Sequence, residues 1–367
     1  MRVPDAPERL TERRVAITSV VRYAVPTEIS GCLRILDLER GRLSFVTPSP
    51  ESTFRENDPN PRGGTRGTRG VSVYGDRLVV ANAERLFVFD VSWNLVAELS
   101  DPLMVDVHDV LAEERGIWVT ATGIDLLLLV SWDGRLERER TFRKNRGLLK
   151  ELGFRRRSLP WADPGLDLRD PRLRGKGYDR LHLNSLGRSA HGILISFGRV
   201  VPDDDPGAER SSALLRVTEN GPGEPELTIL HRQHGVRMPS HNVAEDGDLL
   251  VYNDSSGNRL VAVDRRTGEM RCAVPIPGSP PYARGLARIG DDLWLVGSQA
   301  PLAVHAVDVR RAEVVKTYPL GGIQDEVVFG ICPLPAGFAL PRQPLGADPY
   351  EFWRRAAEAP RVTARPV

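Results

Sequence analysis

The stretch "HNVAEDGDLLVYND", residues 241–254, holds the key to the fold. A histidine leads an alternating strand, an acidic glycine-containing turn follows, and a strongly apolar run completes a hairpin. The frame recurs as "HDVLAEERGIWVTAT" from His108 and as "NSLGRSAHGILISF" from Asn184. Anchored on the first apolar residue of the second strand, "RGVSVYGDRL" runs from Arg69 to Leu78, "RGLARIGDDL" from Arg284 to Leu293, and "FGICPLPAGF" from Phe329 to Phe338. The His241 unit is one residue shorter than these.

Two more strands follow most units, joined by polar turns, as in "LLLLVSWDGRLERERTF" and "RLVAVDRRTGEMRCAV". An acidic residue or glycine there supplies the left-handed turn position. Four short strands in roughly 40 residues is the period of a propeller blade. Apolar residues at every second position exclude helical repeats. The pattern predicts an all-β, six-bladed β-propeller over residues 1–342, with innermost strands at 69–75, 108–113, 182–188, 241–245, 284–289 and 327–333. "VVFGICPLP" and "GFALP" from the C-terminal side would share the closing blade with "RRVAITS", "GCLRILDLE" and "RLSFVTP" from the N-terminal side, removing open sheet edges. Seven blades is the alternative, should the N-terminal strands amount to more than half a blade.

Residues 143–181 fall outside the repeat, between blades two and three. They are arginine-rich and proline-punctuated, with one short helix expected at "GLLKELGF". A connection this long reads as a lid over the histidine-bearing face. Its low apolar content predicts mobility, and Arg155, Arg156 and Arg157 would draw in an anion. A solvated loop on the opposite face is the alternative. Residues 51–68 read as a flexible loop, and the tail 343–367 contains one amphipathic helix, "DPYEFWRRAAEA".

The 367 residues carry 50 basic and 49 acidic side chains. This balance argues against a nucleic-acid or bulk membrane partner, since neither would gain electrostatically. Cys32, Cys272 and Cys332 are scattered, without CxxC spacing, so they frame neither a disulfide scaffold nor a thiolate metal site. The sequence shows neither a signal peptide nor an apolar run long enough to span a membrane, and a cytoplasmic location is expected.

The leading positions of the frames bring His108, His182 and His241 to one end of three consecutive blades. Three imidazoles with open coordination positions suit a catalytic divalent metal, iron or zinc. A repeated packing device is the competing explanation. Asp106 and Asp109 flank the first histidine and would set its tautomer, while Glu326 or Asp325 would add a carboxylate from the sixth blade. Arg69 and Arg284 would grip an anionic group, with Asn184 and Asn242 completing the substrate contacts. His182 lies two residues upstream of its frame, an offset that a strand bulge would absorb. His231 and His234 fall on an outer strand, and His191 and His305 read as structural. No GxSxG elbow, Walker loop, GxGxxG, HExxH or EF-hand pattern occurs.

"HLNSLG" after a basic insertion, "MPSHNVAEDGDLLVYNDSSGNRLVAVD" and "YARGLARIGDDLWLVGSQ" resemble a family of bacterial conserved hypothetical proteins. The resemblance covers roughly residues 65–335. It departs at "MPSH", where that family places histidine directly after Met-Pro. More distantly, the chain is similar to the six-bladed strictosidine synthase and gluconolactonase group. These resemblances imply a propeller working at its channel mouth, with or without a metal. Three functions follow as expectations. The first is a metal-dependent enzyme acting on a small anionic metabolite in a biosynthetic setting. The second is a metal-free acid–base lyase or cyclase of the Pictet–Spengler kind, and the third a binding scaffold with structural histidines.

Overall fold

A computed structural model describes residues 13–22, 30–50, 52–58, 67–155, 166–173, 178–202, 210–219, 225–323 and 325–341. The tail helix expected at 348–359, the boundary at 342/343, and Arg156 and Arg157 lie outside the described residues. The strands form six four-stranded antiparallel sheets. Their innermost strands are Val71–Tyr74, Val107–Glu113, Leu183–Ser189, His241–Asp246, Arg284–Gly290 and Glu326–Pro333, each in contact with the next around the ring. This is the expected six-bladed propeller.

The burial of each strand follows its place in the blade. Gly116–Ala121 and Leu126–Val130 are buried at every position, because neighbouring blades cover both faces of the middle strands. They therefore read as continuous apolar runs rather than alternating ones. The outermost strand of the same blade, Leu136–Thr141, is the polar "LERERT". Apolar clusters between consecutive blades make up the core; one joins Leu129 and Trp118 of blade two to Ile195 and Leu215 of blade three. Each such fully buried aliphatic side chain contributes about 1.5–3 kcal/mol.

The outer hairpin turns bear out the expected left-handed glycine at Gly134 and Gly268, while the acidic residue plays another part. The recurring aspartate caps the turn with its side chain: Asp264 accepts from the backbone N–H groups of Arg266 and Thr267, and Asp308 from those of Arg310 and Arg311. The left-handed position falls later, on Gly268 in one turn and on Ala312 in another.

Arg14–Val21, Cys32–Asp37 and Arg42–Pro48 complete the closing blade behind Glu326–Pro333. The expected strand at "GFALP" does not form. Phe338 instead packs on Trp93 at 5.5 Å between ring centres, and the Ala339 N–H donates to the Val91 carbonyl, 2.9 Å away. The chain here lies over a turn of the first blade.

The insertion has more apolar content to bury than its composition implies. Asn145 caps the helix Arg146–Glu151 by accepting from Leu148 N at 2.9 Å. Leu148, Leu149, Leu152 and Phe154 all join the core between blades two and three. In the 51–68 segment, residues 52 and 53 are fastened by Ser52 Oγ and Thr53 N–H donating to Glu84. No helix of the described residues is long and apolar enough to cross a membrane.

Candidate functional site

The inner strands share a local irregularity at one end. Their pairing skips a register between Val107 and Val110, Leu183 and Ser185, His241 and Val243, and Arg284 and Leu286, and again opposite Thr18/Ser19 in the closing blade. Bulges re-aim side chains and are common beside functional sites. They place His108, Asn184, Asn242, Gly285 and Phe329 at matching positions around the channel mouth. A second bulge, between Arg288 and Gly290, gives the Arg284 frame the length that the His241 frame lacks. The "RG" pairs have a steric origin. A Cβ on Gly70 would lie 2.6 Å from Asp109 Cα, and Gly285 has φ +75° with Ile331 Cγ1 2.8 Å from its missing Cβ.

Hydrogen-bond partners assign the tautomers of the three expected histidines. Asn184 Nδ2 donates to the Ser240 carbonyl at 2.7 Å, which turns its Oδ1 toward His108 Nδ1, also at 2.7 Å. His108 must therefore carry its proton on Nδ1. His182 Nδ1 lies 2.8 Å from the Asp179 carboxylate. Ser255 gives its only hydroxyl proton to the Ala283 carbonyl, so it accepts from His241 Nδ1 at 2.6 Å. In the neutral form, each ring keeps an unprotonated Nε2.

His108 and His182 meet edge to face, 5.1 Å between ring centres. His182 stays two residues ahead of the matching position, which Asn184 takes; its left-handed backbone, φ 54°, is shared by Asp106 at the equivalent place in blade two. His241 lies against Tyr282, 5.7 Å away. Among the described residues, no group of three or more His, Cys, Asp or Glu side chains is disposed to hold a metal ion. His108 and His182 are brought together, and both stand near enough to His241 for their charges to act on it. Asp179 anchors His182, and the Ser255–Ala283 pair anchors His241 on the blade-five side.

Burial pushes the His108 imidazole down to about 4, outweighing the opposing effect of Asp106. Burial, followed by the charge of Arg284, holds His241 well below the usual imidazole range. Tyr282 is more telling: burial alone would raise its phenol, yet the charges of Arg284 and Arg22 and the Arg284 hydrogen bond bring it below the ordinary value. Arg284 Nη1 donates to Tyr282 Oη at 2.9 Å, and the Arg22 guanidinium stands 4.9 Å from the ring centre. A positive potential on this side lowers a histidine and a tyrosine together. Burial raises Asp109 to about 7, against the hydrogen bonds from Leu186 N and Val110 N.

Other expected residues are engaged differently from the sequence reading. Glu326 is fully buried and gripped by Arg34 at 2.5 and 3.1 Å, so it belongs to the closing blade and is not offered to the channel. Arg69 donates to Asp106 at 2.7 Å and to the Val107 carbonyl at 2.9 Å. Arg284 stacks 3.2 Å from the centre of the Phe329 ring. Both guanidinium groups are largely buried, so they act on the mouth through their field more than as exposed forks. Asn242 accepts from Gly285 N at 2.8 Å and serves as an inter-blade clip. Asp106 stands 3.7 Å from His108 Nε2, whereas Asp109 accepts from backbone N–H groups and leaves the ring to Asn184. His305 is a buried structural residue between Ser298 and Thr317.

Sequence reasoning missed Tyr282, Arg22, Asp179 and Ser255. Tyr282 precedes Arg284 by two residues in "YAR", and Asp179 precedes His182 by three in "DRLH"; either spacing was a usable signal. Ser255 and Arg22 arrive through the fold alone.

No family model matches the chain, and no curated protein is significantly similar to it in sequence. Among solved structures, a chain of a nidogen/laminin complex superposes with a TM-score of 0.51 at 10% identity, covering 87% of this chain and 97% of that one. A protein of unknown function from Bacteroides caccae gives 0.52 at 8% identity, covering 88% and 99%. Virginiamycin B lyase from Staphylococcus aureus gives 0.45 at 12% identity, covering 85% and 90%. At such identities the first two likenesses establish the propeller fold and nothing about chemistry.

Proposed function

We propose that the chain is an acid–base enzyme acting on a small anionic metabolite at the channel mouth, by elimination or cyclisation and without a metal. The observation that carries this reading is the forced Nδ1–H tautomer of His108, His182 and His241, which leaves three Nε2 lone pairs as bases. Asp179 behind His182 would hold the imidazolium that forms when the ring takes a substrate proton. Tyr282, with its phenol acidified by Arg284 and Arg22, is suited to return a proton to the leaving atom. The positive potential around Tyr282 and His241 favours a substrate carboxylate or phosphate on that side.

A second reading has one observation in its favour. Nδ1 hydrogen bonds to Asn184, Asp179 and Ser255 are also the pattern that orients histidines toward an iron or zinc ion. One experiment separates the readings. Tag-free protein is incubated with a bacterial metabolite extract, and mass spectrometry follows the species consumed and formed. Turnover of an anionic species that survives chelator and is lost in H108Q and H182Q supports acid–base chemistry. Turnover abolished by chelator and restored by iron or zinc sinks it in favour of the metal. An extract left unchanged points to a binding scaffold.

A further inference from the structure

The 143–181 insertion leaves and re-enters the propeller at one buried carboxylate. Asp125 has no exposed side-chain surface, and Arg143, where the insertion departs, is 1% exposed. Arg143 Nη1 donates to Asp125 Oδ2 at 2.7 Å. The returning chain brings three consecutive N–H groups to the same carboxylate: Arg180 N at 2.9 Å, Leu181 N at 3.1 and 3.2 Å, and His182 N at 3.1 Å. Arg143 also donates to the Tyr178 carbonyl, tying the departing residue directly to the return.

This return segment carries the Asp179–His182 pair. His182 holds a left-handed backbone, a conformation that a non-glycine residue keeps only when its surroundings over-determine it. Here its N–H is held by Asp125, and its carbonyl accepts from Gly198 N at 2.8 Å. Asp125 is itself left-handed, φ 54°, with its carboxylate turned toward the insertion. A buried acid stands at the matching turn of the first blade too, where Glu84 accepts from Ser52 Oγ and Thr53 N–H of the segment before that blade; in blade two the acid instead holds the returning neck of the insertion.

We propose that Asp125, paired with Arg143, is a positioning residue: it clasps the neck of the insertion and thereby fixes His182 in the orientation in which Asp179 sets its tautomer. This deepens the acid–base reading of the mouth and rests on it for its catalytic meaning, though the clasp can be detected without turnover. Removing the Asp125 charge leaves the Arg143 guanidinium buried without its carboxylate and weakens three backbone anchors. His182 is then free to leave Asp179.

The test uses the full chain with ring-¹⁵N-labelled histidine. Long-range proton–nitrogen spectra report the tautomer of each of the seven histidines, and H182Q assigns the signal in question. The wild type should show His182 as a single Nδ1–H form. In D125N and in R143M, that signal should shift to averaged tautomers, while buried His305, held on both nitrogens in blade five, keeps its signal as a marker of the intact fold. An unmoved His182 signal in either variant with His305 intact overturns the proposal. Loss of the His305 signal in both variants also overturns it, because Asp125 would then govern the fold and not His182. A shifted His182 in the variants, alongside a wild type that turns nothing over, sinks the acid–base reading alone. Full turnover in folded D125N with His182 unmoved sinks only the clasp.

Discussion

Replacing Glu326 by glutamine should cripple stability and spare chemistry. Glu326 Oε1 accepts from Arg34 Nη1 and Ser19 Oγ, both at 2.5 Å, and Oε2 accepts from Arg34 Nη2 at 3.1 Å and Ile323 N at 3.3 Å. Glutamine keeps one acceptor oxygen and sets an NH2 group against the remaining donors. It also leaves a fully buried guanidinium without its counter-charge. Breaking such a pair costs about 3–5 kcal/mol, a large part of a total stability of about 5–15 kcal/mol. The loss falls where the C-terminal inner strand meets N-terminal strands almost the whole chain away, so the ring is weakened at its closure. With a urea slope near 3 kcal/mol per molar, the midpoint should drop by roughly 1–1.7 M in tryptophan-monitored unfolding. The apolar double variant R34M/E326L should recover most of that drop, since matched apolar replacements of buried pairs are often near neutral. An E326Q midpoint within 0.3 M (about 1 kcal/mol at that slope) of wild type, with turnover lost, would refute the reasoning and return Glu326 to the site.

His108 should remain neutral from pH 8 to 5 in a histidine ¹⁵N titration; a midpoint above 6 would contradict its burial. Its folded pKa, about 4, lies below the unfolded value of 6.5. The stability it contributes is therefore present above about pH 6.5 and is lost as pH falls toward 4, by about 3 kcal/mol in all; H108Q should remove that part of the acid sensitivity in urea midpoints at pH 7 and 4.5. Tyr282 should ionise below the ordinary tyrosines in a 295 nm difference titration, with Y282F deleting the early phase and R284A moving it upward. R284A should weaken binding of the substrate anion by roughly 10- to 30-fold, since a charge felt through its field at about 8–12 Å and an effective dielectric of about 20 is worth about 1.4–2 kcal/mol, as read by calorimetry; unchanged affinity would place the anion elsewhere.

The blades were legible because a period-two pattern and a fixed distance between anchors are both properties of neighbouring residues. "LLLLV" and "LERERT" announce a covered and an exposed strand without any knowledge of their partners. The mouth was legible only as a set of leading positions. A bulge decides where His108 and Asn184 point, and it depends on the pairing strand. The His182 N–H is held by Asp125, a residue of the preceding blade. Glu326 was misplaced for the same reason: its partner Arg34 is 292 positions away, and nothing near either residue marks the pair. The insertion was misjudged on average composition, which hides the four apolar residues that its short helix and following turn bury together.

The recurring frame proves to be a clip between consecutive blades, and this also makes it a place for chemistry. Arg69 of blade one donates to the Val107 carbonyl of blade two, and His108 of blade two to Asn184 of blade three. Asn184 then donates to the Ser240 carbonyl at the start of blade four, and Gly285 N of blade five to Asn242 of blade four. Arg284 stacks on Phe329 of the closing blade, whose Thr18 hydroxyl reaches the Arg69 carbonyl and completes the circle. Satisfying buried polar groups across each junction requires side chains with both donors and acceptors, so the ring is rich in Arg, Asn and His. A clip occupies only part of such a side chain. Asn242 uses its side-chain oxygen on Gly285 N and Asn253 Nδ2, and an imidazole bound through Nδ1 still presents Nε2. The packing explanation and the catalytic one therefore do not compete for His108: the hydrogen bond that joins blades two and three is the same one that fixes its base.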